Sequence, residues 1–194
     1  MRKLLPMMGL LLASPSTFAH VVGAQANMVS GLIHPLTGWD HALVMIGLGI
    51  ATAIGSKNNA KARTNMAMIL AVYLLAGALI ASAGWVIESF EALTTLSIFM
   101  TGIILISGMF MKQRGKAVYV CAAAMAVVHG YTHLVEAHHS AGSLSFMVGM
   151  CISSLAMYYF GAVNSKFATN HFNIKQISAV TGSVYLLLGA LIAI

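Results

Sequence analysis

Eight histidines and four carboxylates occur in this chain of 194 residues, and half of them fall in two short segments. The first is His34-Pro35-Leu36-Thr37-Gly38-Trp39-Asp40-His41, with Met45 one helical turn further on. The second is His129-Gly130-Tyr131-Thr132-His133-Leu134-Val135-Glu136. On a helix beginning at Pro35, His34 and His41 share a face, and His129, His133 and Glu136 stack at i, i+4 and i+7. Their imidazoles and carboxylates form a donor set suited to a divalent transition metal. Imidazole favours nickel, copper, zinc and iron, and carboxylate adds hard oxygen. A 2+ ion against Asp40 and Glu136, with neutral histidines, gives a formally neutral site, far cheaper inside a membrane than a bare ion. Bound imidazoles must be neutral, so occupancy is expected to weaken as pH falls through about 6.5. The same residues also admit a proton relay or hydrogen-bonded packing, and spacing alone does not choose among these.

The surroundings are apolar. The chain is 59% hydrophobic and 7% charged, with a mean hydropathy of +0.89, whereas a soluble domain is about 25% charged. Lipid must be the solvent for most of the exterior. A net charge of +6 does not point to nucleic acid, because the bases sit in short clusters between apolar runs. Cys121 and Cys151 lie inside apolar stretches, frame no CxxC pair, and are read as buried helix residues.

Arg2 and Lys3 precede a short apolar run at 4–13, and small residues follow at Thr17 and Ala19. That is the pattern of a secretory signal peptide over 1–19, cut before His20. The new N-terminal His20, with its amine and imidazole, would itself be able to chelate a metal. Residues 20–194 are expected to form one all-α membrane domain of six transmembrane helices at 36–54, 66–85, 92–111, 117–136, 143–163 and 177–194. Three spans separate the two polar segments, so a 3+3 inverted repeat with its site at the repeat interface is compatible with the chain.

The basic residues set the orientation. Beyond the signal, Lys57, Lys61, Arg63, Lys112, Arg114, Lys116, Lys166 and Lys175 fall in alternate connections, which the positive-inside rule places in the cytoplasm. Both mature termini are then outside, and the His34–His41 and His129–Glu136 segments lie at similar depth in the outer halves of spans one and four. If those helices pack together, the donors converge. His138 and His139, in the outer loop after span four, serve either as capture residues at the mouth or as solvated loop residues. His171 is cytoplasmic and incidental. Most of the 14 methionines are packing filler, and Met45 alone is well placed as a soft ligand. Trp39 and Tyr131 look like outer-interface aromatics. No connection is long enough for a soluble domain, and no GxxxxGK[ST] loop is present, which argues against ATP-driven pumping by this chain alone.

These features resemble the HupE/UreJ family of nickel and cobalt permeases, linked with hydrogenase and urease maturation. The resemblance rests on the signal followed by His20, on His34-Pro35-x-x-Gly38-x-Asp40-His41-x-x-x-Met45, and on His129-Gly130-x-x-His133-x-x-Glu136. It implies import of Ni2+, or Co2+, across a bacterial inner membrane, with no resident cofactor and no enzymatic step. It also implies that the metal reaches a urease or hydrogenase maturation system, and that His34, Asp40, His41, His129, His133 and Glu136 are needed for transport. The second motif departs from the family's HGHAHGxE form: Tyr131 stands for a His, Thr132 for an Ala and Leu134 for a Gly, which bears on metal preference. The residues themselves leave open a membrane-embedded zinc hydrolase, with a His/Asp set holding a catalytic water and Glu136 as base. A metal sensor or chaperone subunit would need a soluble segment that the sequence lacks.

Overall fold

The computed structural model describes residues 27–110, 116–136 and 144–193, with the side chains of 116 and 117 outside that description. The expected signal segment, His20, His138 and His139 also lie outside it. The described residues form seven helices and no strand: α1 Met28–Thr37, α2 Trp39–Gly55, α3 Ala60–Ser82, α4 Phe90–Ser107, α5 Lys116–Glu136, α6 Leu144–Ala168 and α7 Ile174–Ile192. Side-chain caps start three of them. Asn27 and Ser30 close a capping box on α1, Asn59 accepts from the Ala62 amide on α3, and Asn173 with Gln176 closes a second box on α7.

Five of the helices, α3 to α7, are long and apolar enough to cross a bilayer. The sixth expected span is not one helix. α1 and α2 pass the same test only as a pair, bent by 83° at Gly38, which is the geometry of a broken span or a re-entrant segment. Two expectations are thereby corrected. Pro35 lies in the last turn of α1, not the first turn of a span, and His34 and His41 sit on different helices and cannot share a helix face. The ring of Pro35 and the lack of a side chain at Gly38 both weaken helix continuation there.

Helix ends also extend past the expected limits. Lys61 and Arg63 lie in the first turns of α3, Lys166 near the end of α6, and Lys175 at the start of α7, so these bases are on helix ends rather than in loops. Their long stems keep the charges in water beside an apolar body. Large apolar side chains such as Val72, Leu79, Ile103, Phe160, Val180 and Leu187 are exposed on the outside, as a lipid-facing surface requires.

Helices meet through reciprocal glycines: Gly31 with Gly149 between α1 and α6, Gly49 with Gly161 between α2 and α6, Gly77 with Gly130 between α3 and α5, and Gly102 with Gly182 between α4 and α7. At the first three pairs a methyl group would strike the partner's backbone, and at Gly102 it would first meet the Leu186 side chain, so the axes approach closely and gain dispersion contact where lipid offers no hydrophobic drive. These are also the most extensively packed pairs. α2 and α5 are not closely packed along their lengths. The space between them is filled by side chains.

Candidate metal centre

The side chains between α2 and α5 include histidines. The His41 ring lies 3.9 Å from that of His133 and 4.9 Å from that of His129, centre to centre. The His34 ring, brought in by the bend at Gly38, lies 5.1 Å from His133 and 6.5 Å from His41. His41, His129 and His133 are buried, at no more than 1% exposure. The two carboxylates sit at the margin: Glu136 Oε2 is 3.5 Å from His34 Nε2, and Asp40 Oδ1 is 2.7 Å from His41 Nδ1. The structure therefore brings together all six residues that the sequence singled out. Among the described residues, no three of these groups are placed so that they could hold one metal ion between them; the rings meet by faces and edges.

Asp40 does more than supply charge. Its Oδ1 also accepts from the His41 backbone amide at 2.9 Å. A carboxylate can only accept, so His41 Nδ1 carries the proton, and in the neutral ring Nε2 keeps its lone pair. Carboxylates commonly orient a metal-ligating histidine in this way. His41 Nε2 is buried with no hydrogen-bond partner, as are His34 Nε2, His129 Nδ1 and both ring nitrogens of His133. Buried polar atoms of native proteins are almost always paired, and a cluster of unpaired imidazole nitrogens fits a site whose partner is an ion.

Other elements hold the cluster. Ser97 Oγ of α4 lies 3.5 Å from His129 Nε2, and Thr94 Oγ1 lies 3.2 Å from Thr132 Oγ1. Tyr185 of α7 donates to the Leu43 carbonyl on α2 at 2.7 Å, fixing α2 just inside His41. The hydroxyls of α4 at 94, 97 and 101 step along one face, a signal present in the sequence. Each also bonds back to its own helix, as serine and threonine do in any membrane helix, so the pattern does not by itself mark a site.

Tyr131 is not an interface aromatic. It is 3% exposed, donates to the Trp85 carbonyl at 3.0 Å, and accepts from the Ile87 amide at 2.8 Å. It pins the α3–α4 connection. Leu134 packs with Ala78, Phe146 and Met150. Trp39 is partly exposed, in keeping with an interface. Met45 is buried one turn inside His41. Cys151 is buried and Cys121 partly so, and His171 stacks on Phe167 in the α6–α7 turn.

The model of the HupE / UreJ protein family matches residues 8–192 of the chain. Protein HupE of Rhizobium leguminosarum bv. viciae is 24% identical over 152 residues, which cover 77% of this chain and 76% of that protein. No solved structure matches.

Proposed function

The chain belongs to the HupE/UreJ family, and from that premise we propose that it is a multi-pass permease importing a divalent transition metal, nickel foremost and cobalt second. The observation that carries the reading is the cluster of buried His41, His129 and His133 with partly buried His34, several of their ring nitrogens without a hydrogen-bond partner, lying between Asp40 and Glu136. The histidines supply directional lone pairs of the softness nickel prefers. Asp40 and Glu136 offset the charge of the ion, Asp40 through His41. Among the described residues no three of these groups are arranged to hold an ion at once, so loading requires the rings to turn toward it, and transport in any case needs binding favourable enough to load and weak enough to release. Delivery to a urease or hydrogenase maturation system, and residence in a bacterial inner membrane with the site facing outward, complete the reading. The two tight pairs α3–α5 and α2–α6 exchange under a swap of the first three spans with the last three, which supports an inverted repeat.

The test is uptake of radiolabelled nickel into proteoliposomes, with cobalt and zinc as competitors. His41→Ala and Glu136→Gln are expected to abolish uptake while the protein still inserts and folds. Undiminished uptake in both variants, or one tightly retained zinc per chain with no uptake at all, would overturn the assignment.

A further inference from the structure

A cavity of about 400 Å³ lies at the other end of the same helices, between the inner ends of α2, α3 and α5. Its wall includes Ala51, Thr52, Ser56, Asn65, Met66 and Tyr119, and Lys61 stands among the lining residues. This is the face that carries Lys57, Lys61 and Arg63, cytoplasmic under the positive-inside rule. The described lining holds hydroxyl and amide groups and no carboxylate.

Helical register connects this cavity to the histidines. Along α2 one face runs His41, Met45, Leu48, Thr52; along α5 one face runs His129, Met125, Ala122, Val118. The upper ends of these two series are the rings 4.9 Å apart, and the lower ends, Thr52 and Val118, line the cavity. Between them Met45, Leu48, Ala122 and Met125 are no more than 5% exposed and belong to one core cluster with Met66. Thr101 of α4 donates to the Met125 sulfur at 3.7 Å. From His41 to Ala51 the axial distance is about 15 Å, half the thickness of a hydrocarbon core of about 30 Å.

We propose that this cavity is the cytoplasmic mouth of the ion path, and that buried Met45, Met125, Leu48 and Ala122 form the closed gate between it and the histidine cluster. The proposal rests on the metal-import reading. Chemistry grades the path in the direction of release: imidazoles hold the ion, thioethers offer soft and weaker contact, and the cavity offers neutral oxygens and the Met66 thioether beside a lysine. A short apolar constriction closes such a path by excluding water. Leu48 and Ala122 have no donor atoms in their side chains, so they separate the two polar regions when closed.

The test uses purified protein in a Cys121→Ser, Cys151→Ala background. Asn65→Cys in the cavity wall, or Phe172→Cys on the same membrane face in the α6–α7 turn, is labelled with a bulky maleimide and reconstituted. Nickel uptake is measured in proteoliposomes and nickel affinity in detergent. The label at position 65 is expected to cut uptake at least about tenfold by blocking the constricted path, with affinity unchanged, and the label at 172 to alter neither. Ala122→Phe, without label, is expected to behave like the label at 65. Equal uptake by the two labelled proteins would overturn the proposed mouth. If the unmodified protein binds no nickel, the import reading fails first, and that failure is distinct from bound nickel that passes a labelled cavity freely.

Discussion

Gly130 lies between two residues of the histidine cluster, and it carries no functional group of its own. A methyl group there would stand 2.7 Å from the carbonyl carbon of Leu74 on α3, and closer still to its oxygen. Ordinary carbon–carbon contact is about 3.5–4.0 Å, so α3 and α5 would have to part by about 1 Å. Neither neighbour is a flexible side-chain tip that can swing away. Overpacking of this kind costs about 1–3 kcal/mol. Gly77 faces the same interface from α3, its added methyl 2.7 Å from the Tyr131 amide nitrogen. Once the helices have parted for one methyl, the second finds room, so Gly77→Ala and Gly130→Ala together are expected to destabilise by less than the sum of the two. The movement also displaces His129 and His133 relative to His41. Sites of this sort need their groups held to about 0.5 Å, so Gly130→Ala is expected to lower nickel uptake at least tenfold. The assay is thermal unfolding in detergent together with proteoliposome uptake for both single variants and the double. A Gly130→Ala protein that melts with the parent and transports normally, or a strictly additive pair, would refute the close α3–α5 contact as what positions the site.

Three further outcomes follow from the geometry. Tyr131→Phe leaves the Trp85 carbonyl and Ile87 amide without their partner, at a cost of about 1–2 kcal/mol, so hydrogen exchange should rise at the α3–α4 connection while nickel affinity stays at its parental value. Gly38→Ala puts a methyl 2.8 Å from His41 Nδ1 and 3.3 Å from Asp40 Oδ1 and favours a continuous helix by about 1 kcal/mol; nickel binding by the folded variant should be lost, and retained binding would show that the bend is dispensable. Uptake should fall as external pH is lowered, since protons compete for the imidazole lone pairs, whereas a profile flat down to the most acid pH at which the protein stays folded would argue against histidine ligation.

The polar residues were legible in the sequence because so little else in the chain is ionisable. His34, Asp40, His41, His129, His133 and Glu136 stood out against apolar spans, and the charge pattern gave the two segments a common depth. Their meeting is what the structure shows. Helix pairing was not legible. With 18 glycines in the chain, small residues offer many possible close contacts, and only the fold selects Gly77 with Gly130 or Gly49 with Gly161. Tyr131 was misread for a related reason: an aromatic near a span end suits the interface, and nothing local reveals a buried hydroxyl reaching the carbonyl of Trp85. The Tyr185 contact to Leu43, across 142 residues of chain, is equally beyond local pattern.

On the proposed reading, the break at Gly38 is what brings two histidines seven residues apart to one site. On a continuous helix they would be separated by about 10 Å along the axis, whereas nitrogens bound to a common transition metal each lie about 2 Å from it. Bending the chain by 83° swings His34 toward the others, until its ring is 5.1 Å from that of His133. The same break creates two helix ends beside the histidine cluster. The carbonyl end of α1 carries partial negative charge beside His34, favourable to a cation, and its Thr37 hydroxyl satisfies the His34 carbonyl at 2.8 Å. At the amide end of α2, Asp40 occupies the first turn, where the helix dipole stabilises a carboxylate. A straight helix would supply neither end. The bend that weakens span one as a membrane helix is thus what brings His34, Asp40 and His41 of a single short segment to the same cluster, as the proposed import reading requires.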